Sequence, residues 1–449
     1  MITYSIIQKS KLEGAKRMDA EYYQPEYLDI ENKLNNIKTQ TIADISESVV
    51  NFGAYSLCNF IKWKENGVPY LNVQDIKDGY IDFDDTKFID EKVNEILKKS
   101  KVREGQVILT MAGTIGNVAV AHKISPKVNS NQATAKITLK KDYSPYFLTA
   151  FLGSYYGKNQ ITREIVSSVQ PNIFLFQIKN FKVPIVAVEK QKEIEKIYIH
   201  GLNELENSKL FYSQAEDLLL EEIGFKDFKN EENLFSVVNL SEAKNANRID
   251  AEYFQTKYEK LISSLINCYP KKLSEVAKRK NGVVKINPKS EYKYIEISDV
   301  NAGNGEISFN VIQGNELPAN AKMKIDGGEL IISKVRPTRG AIAIIPDDWK
   351  NDFIASGAFS VFEVFSPMRE YLQVVLRSII GKLQLERPTT GTTYPTVTDE
   401  DVENILIPIL PKPTQQKIAE LVRQSHEARK KAKELLEEAK RKVEEIIEK

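Results

Sequence analysis

Two cysteines, three histidines and two tryptophans in 449 residues leave little material for disulfide, metal or redox chemistry. Cys58 and Cys268 stand alone, and a pair cannot staple a chain of this length; both read as ordinary buried thiols. His122, His200 and His426 lie far apart, with no Cys or His at ligand spacing, so no metal site is assigned. No run approaches the roughly 20 apolar residues that cross a bilayer, and the N-terminus lacks a signal peptide's apolar segment. The expectation is a cytoplasmic protein without a membrane partner. Net charge is +1, so nothing draws the whole chain toward nucleic acid; a DNA-binding surface has to come from local clustering. The phosphate-loop pattern Gly-x-x-x-x-Gly-Lys-Ser/Thr is missing, and Gly327-Gly328 to Lys334 does not fit it. The Asn-Pro-Pro-aromatic tetrapeptide of amino-group methyl transfer is also missing. Ser144-Pro145-Tyr146-Phe147 is only superficially like it and serves better as a helix start. Carboxylates are plentiful but form no catalytic constellation. No catalytic residue is assigned, and the chain is expected not to be an enzyme by itself.

What the chain does have is a long-period repeat. Arg17-Met18-Asp19-Ala20-Glu21-Tyr22-Tyr23-Gln24 returns 231 positions later as Arg248-Ile249-Asp250-Ala251-Glu252-Tyr253-Phe254-Gln255. Val183-Pro184-Ile185 and Gln191-Lys192-Glu193-Ile194 return 224 positions later as Ile407-Pro408-Ile409 and Gln415-Gln416-Lys417-Ile418. Two matches in the same order make the chain an internal duplication, and the length suits two or three domains. A short helix should follow each first match, from Pro25 and from Thr256. Between the matches lie short β-rich runs such as Val107-Ile108-Leu109 and Leu330-Ile331-Ile332, then a helix opening on Ser144-Pro145 or Ser366-Pro367. The fold class expected is α+β: a mixed α/β domain in tandem, each copy followed by a long helix. The divisions are 1–187 and 232–411 for the two domains, 188–231 for the central helix and linker, and 412–449 for the terminal helix.

Both long stretches are rich in Glu, Lys, Leu, Ile and Ala and read as exposed helices. Pro184 and Pro408 stand just upstream, where proline can start a helix without breaking it. Steps of seven from Ile194 give Gly201, Ser208 and Ala215; from Ile418 they give Ser425, Ala432, Ala439 and Ile446. Beside this row run Tyr198, Leu205, Tyr212 and Leu219, and Val422, Arg429, Leu436 and Val443. A sustained seven-residue repeat with small residues in register points to the two helices pairing as a coiled coil. The alternative is two separate amphipathic helices, each on its own domain.

Candidate contact residues sit on polar loops at matching places in the two domains, where their side chains differ. The first pair sets Gly113, Thr114 and Asn117 against Lys334, Arg336, Thr338 and Arg339. The second sets Asn131 and Gln132 against Ala355-Ser356-Gly357. The third sets Ser167, Ser168, Gln170 and Asn172 against Thr390, Thr392, Thr393 and Tyr394. Hydroxyl, amide and guanidinium groups on loops suit phosphate positioning and base reading, Arg to guanine and Asn or Gln to adenine. Turn chemistry alone also favours Gly, Ser, Asn and Pro. Lys271 to Lys293 holds eight Lys and Arg against Glu275 and Glu291, a net of +6; it is either a DNA-facing patch or a solvated face.

Together, the repeated Arg-x-Asp-Ala-Glu-Tyr and the repeated Pro-Ile followed by a Gln-x-x-Ile helix resemble the specificity subunit of type I restriction–modification systems. The likeness covers nearly the whole chain. It implies two target recognition domains that each bind half of a split, asymmetric site on double-stranded DNA, held apart by two antiparallel long helices. It also implies partners: two adenine-methylating modification subunits that use S-adenosylmethionine, and restriction subunits driven by ATP with Mg, with no cofactor in this chain. Two other readings remain at this stage, a recognition subunit of a different DNA-modifying assembly and a protein-binding scaffold that never touches DNA.

Overall fold

The computed structural model describes residues 4–449 apart from 16, 54, 166–170, 227, 229–234, 366–367 and 392. The chain divides into two compact units, and both divisions fall inside long helices. One unit holds Met1–Leu205 with Arg429–Lys449, and the other holds Glu206–Ala428.

In the first unit a four-stranded antiparallel sheet runs in the order Ser46–Val50, Thr134–Leu139, Val107–Thr110, Val118–Val120. A five-stranded sheet stands beside it, with its parallel pair formed by Val68–Leu71 and Val128–Ser130. The central strand explains its own unbroken apolar sequence. Val107 and Leu109 face a core with Phe151, Leu152 and Tyr156, while Ile108 joins Leu71, Ile76 and Val128 on the opposite face. A strand covered on both sides favours apolar side chains at successive positions.

The second unit repeats the plan. Its sheet order is Lys278–Arg279, Phe359–Glu363, Leu330–Ser333, Ile342–Ile344. Leu330 and Ile332 pack with Tyr371, Leu372 and Val375, whereas Ile331 turns to Ile295, Ile325 and Val361. The neighbouring sheet again contains one parallel pair, Glu291–Ile295 with Phe353–Ser356.

The helix starts follow their sequence signals. Helices run from Pro25 to Asn35, from Thr256 to Ile266, and from Pro145 to Gly153, the last with Ser144 Oγ accepting from the Phe147 N–H. Ser366-Pro367 lies outside the described residues; the helix there runs Met368–Arg377. Gly157 and Gly381, 224 positions apart, open the helix that follows in each unit, and a Cβ on either would lie 2.1 Å from a backbone oxygen. Only glycine allows that close turn.

The long helices run Val188–Ile223 and Lys412–Ile447. Pro184 ends the strand Lys182–Pro184, which pairs with Thr39–Thr41, so it closes the domain and does not start the helix. The Gln of the repeated phrase makes the junction: Gln191 Nε2 donates to Val186 O at 2.9 Å and Gln415 Nε2 to Leu410 O at 2.7 Å. Within each unit the two helix segments run antiparallel. In the first unit Glu204 pairs with Lys431 at 2.6 Å, and a Cβ on Gly201 would meet Ala432 O at 3.3 Å. In the second, Ser425 Oγ donates to Ser208 O at 2.7 Å. The small-residue row is therefore the seam, and the alternative of two separately docked helices is excluded.

Candidate nucleic-acid interface

In the first unit the three loops converge. The Met111 N–H donates to Ala133 O at 2.7 Å, the Ile173 N–H donates to Met111 O at 3.0 Å, and Ala112 bridges to Asn172. Thr110 closes the first loop from below: its Oγ1 donates to Thr114 O at 2.6 Å and accepts from the Asn117 N–H at 2.9 Å. Gly113, with φ +73°, supplies the left-handed step that this tight return needs. Gly113, Thr114 and Gln132 are exposed, and Asn131 and Asn172 are half-buried. The Asn117 side-chain amide is turned inward, donating to Ile76 O at 2.8 Å, and Asn131 Oδ1 accepts from the Ala133 N–H at 3.1 Å. Ser167, Ser168 and Gln170 lie outside the described residues.

The second unit brings its loops together in the same way with different side chains. The Lys334 N–H donates to Ala358 O at 2.8 Å, the Arg336 N–H to Pro395 O at 2.7 Å, and the Val397 N–H to Lys334 O at 3.0 Å. Ser333 stands where Thr110 stands, its Oγ donating to Val335 O at 2.8 Å. Arg336 has φ +48°, a left-handed backbone that costs a non-glycine residue strain. Its guanidinium lies 4.3 Å from the centre of the Tyr394 ring and donates to Thr393 O at 3.2 Å. Tyr394 is 64 % exposed, so the pair forms a preset cation–π tip. Arg339, Thr390 and Thr393 are exposed and Thr338 is half-buried, while Thr392 lies outside the described residues.

Lys334 is held by Asp399, with Nζ 3.0 and 3.1 Å from its two carboxylate oxygens. Asp399 also accepts from Ser360 Oγ at 2.5 Å and has Arg279 at 3.6 Å. Burial works to raise the Asp399 carboxyl, but the Ser360 and Lys334 hydrogen bonds and the nearby cations outweigh it and hold the group below its ordinary value. The position matching Lys334 in the first unit is Met111, which is buried in the apolar core. One body thus fixes the loop base with an ion pair and the other with a hydrophobic contact.

The middle of the basic stretch from Lys271, Lys278-Arg279-Lys280, is met by acids from elsewhere. Arg279 pairs with Glu403 at 2.6 Å, Lys280 with Glu329 at 2.6 Å and Asp326 at 2.8 Å, and Lys278 with Glu363 at 3.9 Å. These three cations are taken up within the domain, while Lys293 lies over the Phe309 and Phe353 rings. Among the described residues no cluster of three or more His, Cys, Asp or Glu is arranged to hold a metal ion. No described helix is long and apolar enough to cross a membrane.

Two copies of one mixed domain, each with three converging loops and each packed on an antiparallel helix pair, define a class of duplicated recognition proteins. The type I restriction modification DNA specificity domain matches the chain twice, over residues 35–210 and 267–440, and the chain belongs to that family. It is 23% identical over 391 residues to the putative type I restriction enzyme MjaX specificity subunit of Methanocaldococcus jannaschii, covering 84% of this chain and 85% of that protein. The type I restriction enzyme EcoBI specificity subunit of Escherichia coli is 26% identical over 175 residues, a match that spans 36% of each protein. A solved type I S subunit from M. genitalium aligns over 91% of this chain and 96% of its own, with 15% identity and a TM-score of 0.42.

Proposed function

We propose that this chain is the DNA specificity subunit of a type I restriction–modification complex and carries no catalysis of its own. Each body reads one half of a bipartite, asymmetric site on double-stranded DNA. The observation that carries this reading is the repeated loop convergence: the backbone frame is shared by the two bodies, and the side chains on it are not. A shared frame with different readers suits two unrelated half-sites. In the first body the proposed contacts are Gly113, Thr114, Asn131, Gln132, Ser167, Ser168, Gln170 and Asn172. In the second they are Arg336, Thr338, Arg339, Thr390, Thr392, Thr393 and Tyr394. Asn117 and Lys334 take part through the loops they brace, since both side chains face inward. The duplicated helices offer two similar faces to two adenine-methylating modification subunits, which bring S-adenosylmethionine; restriction subunits bring ATP and Mg. The complex works in the cytoplasm.

The test exchanges residues 267–410 for the equivalent body of another family member and maps methylated sites. One half of the site changes and the other stays. Loss of both halves together rules out independent reading. A chain that binds random duplex neither alone nor with methyltransferase subunits, at any salt concentration, would be a protein scaffold instead.

A further inference from the structure

Outside the loops, the segment most alike in the two copies is Arg-x-Asp-Ala-Glu-Tyr, and its side chains make the same contacts twice. Arg17 forks onto Asp19, Nε to Oδ1 at 2.7 Å and Nη2 to Oδ2 at 2.6 Å; Arg248 forks onto Asp250 at 2.8 and 2.7 Å. A planar guanidinium held at two points has its remaining N–H groups aimed in one direction. In the first body these groups reach Glu164 O at 3.4 Å and Ile165 O at 3.5 Å; in the second they reach Pro388 O at 3.0 Å and Thr389 O at 3.2 Å. Those carbonyls lie where a helix ends and the third loop begins. A second arginine locks the clip from the other side. Arg163 Nε donates to Tyr22 O at 3.0 Å, and Arg387, 224 positions later, donates to Tyr253 O at 3.3 Å. Both guanidiniums of each body lie 4.2 to 4.8 Å from the same ring, Tyr22 or Tyr253.

We propose that this repeated segment is the frame that positions the third reading loop, with Arg17 and Arg248 as positioning residues and Asp19 and Asp250 as their aligners. The grip falls on backbone carbonyls, so the loop's side chains are free to diverge while the clip stays constant. That accounts for the identity of the Arg, Asp and Tyr between bodies whose loops carry different candidate side chains. In the first body Gln177 ties the far flank as well, donating to Glu164 O at 2.9 Å and accepting from the Phe174 N–H at 2.8 Å. The inference rests on the loops being DNA readers, but the clip can be measured apart from DNA.

The experiment uses the full chain with Arg248→Lys and, separately, Asp250→Asn, both of which keep side-chain volume. Hydrogen exchange is followed at the Thr390 and Thr396 amides, which donate to each other's carbonyls at 3.0 and 2.9 Å across the loop. Both variants exchange about tenfold or more faster there, because a charge-assisted grip has been removed. Amides of the Leu330–Ser333 strand do not change. In parallel, a random-sequence duplex library is selected on the same proteins, with the modification subunits present. Preferences flatten in one half-site only, and Arg17→Lys and Asp19→Asn flatten the other. Unchanged exchange at Thr390 and Thr396 overturns the inference. So does a variant that lowers the melting temperature yet keeps full discrimination, which would make the clip an ordinary helix cap. If exchange rises while the wild type enriches no sequence, the frame stands and the DNA reading falls.

Discussion

Lys440 Nζ lies 2.9 Å from Asp78 Oδ2, and its side chain is almost wholly buried. Gly153 makes room for it, since a Cβ there would meet Lys440 Cε at 3.1 Å. Burial alone would lower the Lys440 pKa, yet Asp78 and Glu437 more than reverse it. The position 224 residues earlier, on the first long helix, is Glu216, whose charge is answered by Lys382 and Arg377 while burial raises its pKa. Arg377 occupies the position matching Gly153, and Lys382 that matching Lys158. The helix charge at this level is thus reversed between the units: a lysine paired with Asp78 in one, and in the other a glutamate in the field of Lys382 and Arg377.

Lys440→Glu therefore destabilises the first unit and leaves the second nearly untouched. A carboxylate set against Asp78 costs about 3 kcal/mol or more, and adding Asp78→Lys recovers part of it. The two tryptophans make this measurable, because Trp63 is in the first unit and Trp349 in the second. Urea unfolding of single-tryptophan versions should show the Trp63 transition shifted and the Trp349 transition in place. Equal shifts would show that the pair is not local in its effect.

Lys136 is fully buried in the central sheet of the first unit, and its Nζ donates to Ser130 Oγ at 2.9 Å. Burial pulls its pKa down to about 7. Below that pH the ammonium is protonated in both folded and unfolded chains, and the folded state bears the full desolvation cost. Between about 7 and the ordinary lysine value near 10.5 the unfolded chain holds the proton that the folded chain has lost, so stability rises with pH by up to about 1.4 kcal/mol per unit. Lys136→Met is expected to stabilise the protein at pH 6, by about 2 kcal/mol, with the advantage shrinking toward pH 9. Denaturation at both pH values checks this; an advantage that grows with pH reverses the assignment.

Much of this fold is legible because the chain repeats it. The strand Val107–Thr110, the helices from Pro25 and Thr256, and both long helices follow from local signals that agree between the copies. Partners distant in sequence are not legible in this way. Lys334 is visible as a cation on a loop, but its partner Asp399 lies 65 residues on, and in the first body the matching position is an apolar Met111. Within Lys271–Lys293 the sequence does not show that Lys278, Arg279 and Lys280 are met by Glu363, Glu403, Asp326 and Glu329 from other elements. Arg163 and Arg387 carry a detectable signal, the same 224-residue spacing as the helices, although nothing local marks them as half of a clip.

Arg336 tests base reading against phosphate binding. Stacked on Tyr394 and donating to Thr393 O, its guanidinium keeps further donors for a guanine edge. Arg336→Ala should cost about 1–3 kcal/mol of binding to the cognate site and relax preference at one base pair. Binding to single-base variants of the site decides it. Equal losses on all sequences identify a phosphate contact.

The long helices set the spacing between half-sites in the proposed reading, and their continuity makes that testable. Each has 36 residues, so at about 1.5 Å per residue each is about 54 Å long, against about 34 Å for one turn of DNA. The unit division falls between Leu205 and Glu206 on one helix and between Ala428 and Arg429 on the other. The contacts Glu204 to Lys431 and Ser208 to Ser425 flank that level on either side. Seven residues inserted at both points keep the small-residue seam in register and leave each unit's own contacts intact. The pair lengthens by about 10 Å, the rise of about three base pairs, so the unread spacer in the methylated site should lengthen while both half-sites stay the same. Added base pairs also turn the second half-site around the duplex axis, so the readout is the direction of the change in spacer length. A folded, active double-insertion protein that kept its original spacer would reduce the helices to a docking surface for the modification subunits.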